Sequence, residues 1–137
     1  MVLPSPTDEP VYSQNLPRTP EAAHHARRLV RSVLRRWGLD DLEEEAELVA
    51  VELMSNAARH ARFDSVRLTV TRSGEHRVSV AVTDRSRVMP HLAAAGDDDE
   101  GGRGLAIVDA LSSGRWGADP LGWGKRVWAE LGDRGEQ

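Results

Sequence analysis

The stretch ELMSNAARH, Glu52 to His60, lies inside a segment of helical periodicity and sets Glu52 and Asn56 four residues apart, hard against an apolar stripe. Ala46, Val49, Leu53, Ala57 and His60 make that stripe. At about 100° per residue, Glu52 and Asn56 point about 40° apart along the adjoining strip, with Glu45 and Arg59 on the same side. Asparagine is a mediocre helix former because its amide competes for nearby backbone groups, so helix stability does not explain its place there. Asp40 or Asp41 caps this helix, and the acidic first turn LEEE suits the positive end of its dipole.

Before it, Thr19–Pro20 reads as an N-cap with proline at the first helical position, and Gly38 follows the last periodic residue. Ala22, Ala26, Leu29, Val30, Val33, Leu34 and Trp37 then form one buried stripe, while the arginines of ARRLVRSVLRR lie on the polar side as a solvated face. VYSQNL reads as a short edge strand. After the second helix the period changes to two: Val66, Leu68 and Val70, then Val78, Val80 and Val82, alternate with polar residues around the turn RSGE, a hairpin ending at Asp84. The acidic stretch RSRVMPHLAAAGDDDEGG opens into the apolar-periodic LAIVDALSS, and RWG and GKRVWAEL close the chain as two more strands. These elements predict an α/β two-layer sandwich, its sheet mixed but mostly antiparallel and covered on one face by helices. The expected organisation is a loose arm over 1–10, one domain over 11–132 and a tail over 133–137.

A chain of 137 residues can bury a core without staples, and it has no cysteine for disulfides, thiolate metal sites or nucleophiles. No apolar run is long enough to span a membrane and the start has no leader pattern, so the expectation is a soluble, cytoplasmic protein. A net charge of −4 disfavours direct nucleic-acid binding. The five histidines lack zinc-ligand spacing. Of the four tryptophans, Trp37 reads as core and Trp123, between two glycines, as an exposed contact; Trp128 alternates against Val127, Ala129 and Leu131, so one of those two faces is exposed or meets a partner.

Three pieces carry chemistry. Glu52 and Asn56 share a helix face, Asp84 ends a strand, and GGRGL, Gly101 to Leu105, leads into a helix whose unpaired N–H groups suit a phosphate. Asparagine offers an oxygen to Mg²⁺, and a carboxylate one turn away can take a proton from a hydroxyl. Singly, each has a plainer reading: a solvated polar pair, a strand-end residue entering a turn, and a helix-start turn without the lysine of a P-loop.

Together, ELMSNAARH, VAVTDRS with Pro90, GRGLAIVDAL, RWG and GKRVWAEL resemble the GHKL (Bergerat-fold) ATP-binding superfamily over about Leu16 to Leu131, and within it the bacterial anti-sigma-factor serine kinases. The resemblance implies ATP and Mg²⁺ as cofactors, Glu52 as general base, Asn56 as the Mg²⁺ ligand and Asp84 as acceptor of the adenine amino group. It places Gly102, Arg103, Gly104 and Leu105 at the phosphates and residues 85–101 as a lid. It further implies a homodimer whose partners are a sigma factor and an anti-sigma-factor antagonist that is phosphorylated on serine. Three features depart from the family pattern: Ser86 and Val88 replace glycines after the aspartate, Arg126 stands where many relatives carry threonine near adenine, and the acidic run Asp97 to Glu100 precedes the phosphate turn. They motivate an alternative function, a catalytically weak or inactive binding module of the same fold.

Overall fold

The computed structural model describes residues 11–60, 65–86, 89 and 100–133, with the side chains of 59–60 and 100–103 outside that description. The element order is β1 (Val11–Pro17), α1 (Ala22–Arg36), α2 (Glu43–His60), β2 (Ser65–Gly74), β3 (Arg77–Asp84), α3 (Glu100–Ser112), β4 (Trp116–Leu121) and β5 (Gly124–Gly132). The five strands form one sheet in the order β1-β2-β3-β5-β4, and every neighbouring pair is antiparallel. The sandwich is therefore as expected, with the sheet more uniform than the mixed one the sequence suggested. VYSQNL is indeed an edge strand, at the β1 end of the sheet.

Alternation decides which face of the sheet is covered. Val66, Leu68 and Val70 on β2, Val78, Val80 and Val82 on β3, and Val127, Ala129 and Leu131 on β5 are all buried, and the cross-strand register sets Val78, Val80 and Val82 opposite Leu131, Ala129 and Val127. These rows meet Ala22, Ala26, Val30, Val33 and Leu34 of α1 and Ala46, Val49, Leu53 and Ala57 of α2 in one core. Trp37 belongs to it, as expected, at 5% exposure. Trp128 takes the other face, where it lies over Gly117 of β4. Trp123 is 58% exposed in the β4–β5 turn.

Several boundaries differ from the sequence reading for local reasons: Asp40 and Asp41, expected to cap the second helix, lie in a short 3-10 helix, Asp40–Leu42, and α2 starts at Glu43. The first helix starts at Ala22 because Thr19 and Pro20 are spent in a turn, with the amides of Ala22 and Ala23 donating to their carbonyls. Its far end is as expected: Gly38 has φ +72°, and the amides of Leu39 and Gly38 donate to the carbonyls of Leu34 and Arg35, which satisfies two end carbonyls. The hairpin turn is displaced from RSGE, since β2 runs on to Gly74 through a register shift between Arg72 and Gly74. The Arg72 guanidinium donates to the carbonyls of Gly74 and Glu75 and holds that irregularity.

The arginines of α1 are not simply a solvated face. Arg27 and Arg31 donate to Glu47, and Arg35 to Glu43, across the α1–α2 contact. Arginines at steps of four on one helix meet glutamates at the same step on the other. Glu47 is 5% exposed, and chiefly the Arg31 hydrogen bonds hold its carboxyl below the usual range, against the opposing effect of burial. A lowered folded-state pKa stabilises the fold above the unfolded carboxylate pKa and loses that stabilisation as pH falls through the folded one. Glu47→Gln is therefore expected to lower the melting temperature by about 4 °C at pH 7 and to flatten its acid dependence; melting curves at neutral and acid pH check this. His76, one of the five histidines, sits between the carboxylates of Asp41 and Asp133, which raise its pKa through hydrogen bonds, Asp41 first.

Candidate nucleotide-binding site

The polar strip of α2 meets the glycine run of α3. A Cβ built on Gly104 would stand 2.7 Å from Glu52 Oε1, so the carboxylate lies where only a glycine leaves room for it. Asn56, one turn on, is buried at 6% exposure, and Glu52 is half-buried. Leu105 turns inward, 2% exposed. The helix begins at Glu100, earlier than a loop opening at GGRGL suggested, so Glu100 to Arg103 make up its first turn and Gly104 follows it. The first amides of a helix have no intrahelical carbonyl to bond, and here they include those of Gly101 and Gly102, where a glycine lets a ligand approach the backbone closely. A carboxylate beside such a helix start, with an asparagine one turn along the same helix, is a donor set compatible with a triphosphate and Mg²⁺, since Mg²⁺ takes few protein oxygens and fills its shell with phosphate and water. The lid expected over 85–101 falls mainly on 87–88 and 90–99, outside the described residues, as do Asp97 to Asp99. The side chain of His60, expected in the apolar stripe of α2, is likewise outside them.

Asp84 is placed by the sheet. It continues the helix-facing row of Val78, Val80 and Val82 and is paired in register with Lys125, which continues the row of Val127, Ala129 and Leu131. The last rung of the core is thus an ion pair. Lys125 Nζ donates to Asp84 Oδ1 at 3.0 Å, with the two side chains 0% and 1% exposed. The amide of Ser86 donates to the same oxygen at 2.8 Å, and its carbonyl accepts from Lys125 at 3.5 Å. Ser86 itself is fully buried. Arg126, one of the departures from the family pattern, points to the other face, where it reaches Asp119 at 3.5 Å. Lys125 is the residue that the sequence reading missed, although strand alternation from Val127 points it inward. Thr83, Asp84 and Arg85 also border a shallow cavity of about 200 Å³ that includes Asn15, Arg67 and Trp123.

The tail of the fold is tied to the helix that carries the glycines. The Arg115 guanidinium donates to the carbonyls of Ser112, Gly132 and Asp133, and Trp116 Nε1 donates to Asp109. RWG therefore joins the end of α3 to the end of β5.

Residues 16–114 match the histidine kinase-like ATPase domain, and the chain belongs to that family of ATP-binding domains. Its fold is the GHKL fold expected from the sequence motifs. An uncharacterized protein of Streptomyces coelicolor is 48% identical over 67 residues, which cover 48% of this chain and 62% of that protein. Among solved structures, the RsbU and RsbW domains of Rv1364c from Mycobacterium tuberculosis align over 95% of this chain and 34% of theirs, with a TM-score of 0.67 and 20% identity. The histidine kinase domain of the blue-light activated histidine kinase from Erythrobacter litoralis aligns over 84% of this chain and 60% of its own, with a TM-score of 0.51 and 18% identity. The chain thus spans less than two thirds of each of these proteins, and at such identities the two solved structures speak to the fold. No helix among the described residues is long and apolar enough to cross a membrane.

Proposed function

We propose that the protein is an ATP-dependent protein-serine kinase of the anti-sigma-factor type, a homodimer that binds a sigma factor and phosphorylates an anti-sigma-factor antagonist. The observation that supports this reading is the carboxylate of Glu52 set against Gly104, a group able to act as a base beside a helix start suited to phosphate. Bound MgATP would supply the γ-phosphoryl group and the charge neutralisation that its transfer needs. Asn56 would hold the Mg²⁺ through its amide oxygen, and Gly102, Arg103, Gly104 and Leu105 would line the phosphates. Glu52 takes the proton from the serine hydroxyl of the antagonist, and Asp84 faces the base end. Transfer of this kind asks mainly for positioning and charge, so a small set of side chains suffices. The sequence motifs of the anti-sigma-factor kinases and the likeness to a fold neighbour with an RsbW domain support the choice of partners.

The test is incubation with γ-labelled ATP and the proteins that co-purify from the native host. Label on serine of a small partner, lost when EDTA removes Mg²⁺, is the expected result; unlabelled partners and no MgATP binding would refute the reading. One observation favours a second reading, a binding module that acts by protein contacts with nucleotide bound weakly: Asp84 is already held by Lys125 and Ser86.

A further inference from the structure

We propose that Lys125 gates the base end of the nucleotide site, and so sets both its affinity for ATP and its choice of base. This rests on the reading of the α2–α3 contact at Glu52 and Gly104 as part of a triphosphate site. Asp84 Oδ1 accepts from Lys125 Nζ and from the Ser86 amide, and the Asp84 and Lys125 side chains are 1% and 0% exposed. An exocyclic amino group therefore finds the Asp84 carboxylate covered while the ammonium is in place, although the residue borders the shallow cavity beside Trp123. The phosphate end is built differently, with Glu52 half-buried and a glycine helix start beside it. The two ends of one site are thus unequal: the end that grips a triphosphate is assembled, and the end that distinguishes bases is closed by an internal cation.

Closure has two consequences. A ligand that needs the open form binds more weakly by the fraction of molecules in which that form exists. A ligand that stops at the phosphates ignores the gate. Lys125 is the moving part because its ammonium is carried on a flexible stem of four methylenes, whereas Asp84 is anchored by a short side chain and by the Ser86 amide. With the ammonium displaced, Asp84 is free to accept from an amino group such as that of adenine and to reject a carbonyl in the same place.

Calorimetric titration of the full chain with MgATP, MgGTP and magnesium tripolyphosphate tests this, on the wild type and on Lys125→Ala. The wild type is expected to bind all three within about threefold of one another, because none engages Asp84. Lys125→Ala is expected to gain about tenfold or more for MgATP over the wild type, with tripolyphosphate changed by less than about threefold. A wild-type preference for MgATP over MgGTP of more than about tenfold would overturn the gate while leaving the nucleotide site intact. A folded Lys125→Ala without the gain overturns it too. Should neither protein bind any of the three, the nucleotide reading itself falls and the gate with it. If Lys125→Ala does not fold, the wild-type comparison decides alone.

Discussion

Glu52→Ala is expected to slow phosphoryl transfer to the protein substrate by about 10³-fold, within the range that a positioned general base contributes. Affinity for MgATP should change by less than about threefold, because on the proposed reading the carboxylate acts on the acceptor hydroxyl and not on the nucleotide. The fold should survive: the side chain is half-buried at the core margin, and alanine is the better helix former. Single-turnover transfer at saturating MgATP isolates the step, and a melting curve guards against misfolding. Glu52→Gln keeps the shape and removes the basicity, so it should be as slow as the alanine variant. A glutamine variant that transfers at the wild-type rate would mean that Glu52 only positions groups around it, and the base would have to be sought elsewhere.

Much of this site was legible because its parts obey local rules. The 3.6-residue period of α2 puts Glu52 and Asn56 on one strip whatever the rest of the chain does, and the two-residue period of β3 puts Asp84 in the row of Val78, Val80 and Val82. The core positions read from these periods are buried on α1, α2, β2 and β3, except that Leu29 is only partly buried and the side chain of His60 lies outside the described residues, while Ala50 and Met54 of α2 and Ala81 of β3 are buried beyond that reading. What local rules do not contain is the meeting of separate elements. Glu47 reads as one more acid in an acidic helix until α1 brings Arg27 and Arg31 to it. Lys125 is a different case, since alternation from Val127 does turn it inward. A lysine at a strand start reads as solvated, and only the register with Asp84 shows that its burial is compensated by a partner. The start of α3 was misjudged because glycines count against helix on propensity, and here tertiary packing against α2 outweighs that preference.

Gly104→Ala separates position from composition at the same site. The added methyl would stand 2.7 Å from Glu52 Oε1, too close for both to keep their places. What must yield is the far end of a flexible side chain, so the fold loses little and alanine's better helix propensity offsets part of that. The chemistry is less forgiving, because the carboxylate must move by roughly 1 Å, and a displacement of that size costs about 10²-fold in a reaction that depends on alignment. The expected result is a variant that melts close to the wild type and transfers phosphate about 10²-fold more slowly. Combining it with Glu52→Ala decides the cause. If the methyl acts by displacing the carboxylate, the double variant is no slower than Glu52→Ala alone, since residues that act as a unit are not additive. A further loss of about 10²-fold in the double variant would instead place the damage at the phosphates, where the backbone of Gly104 would then be the group that matters.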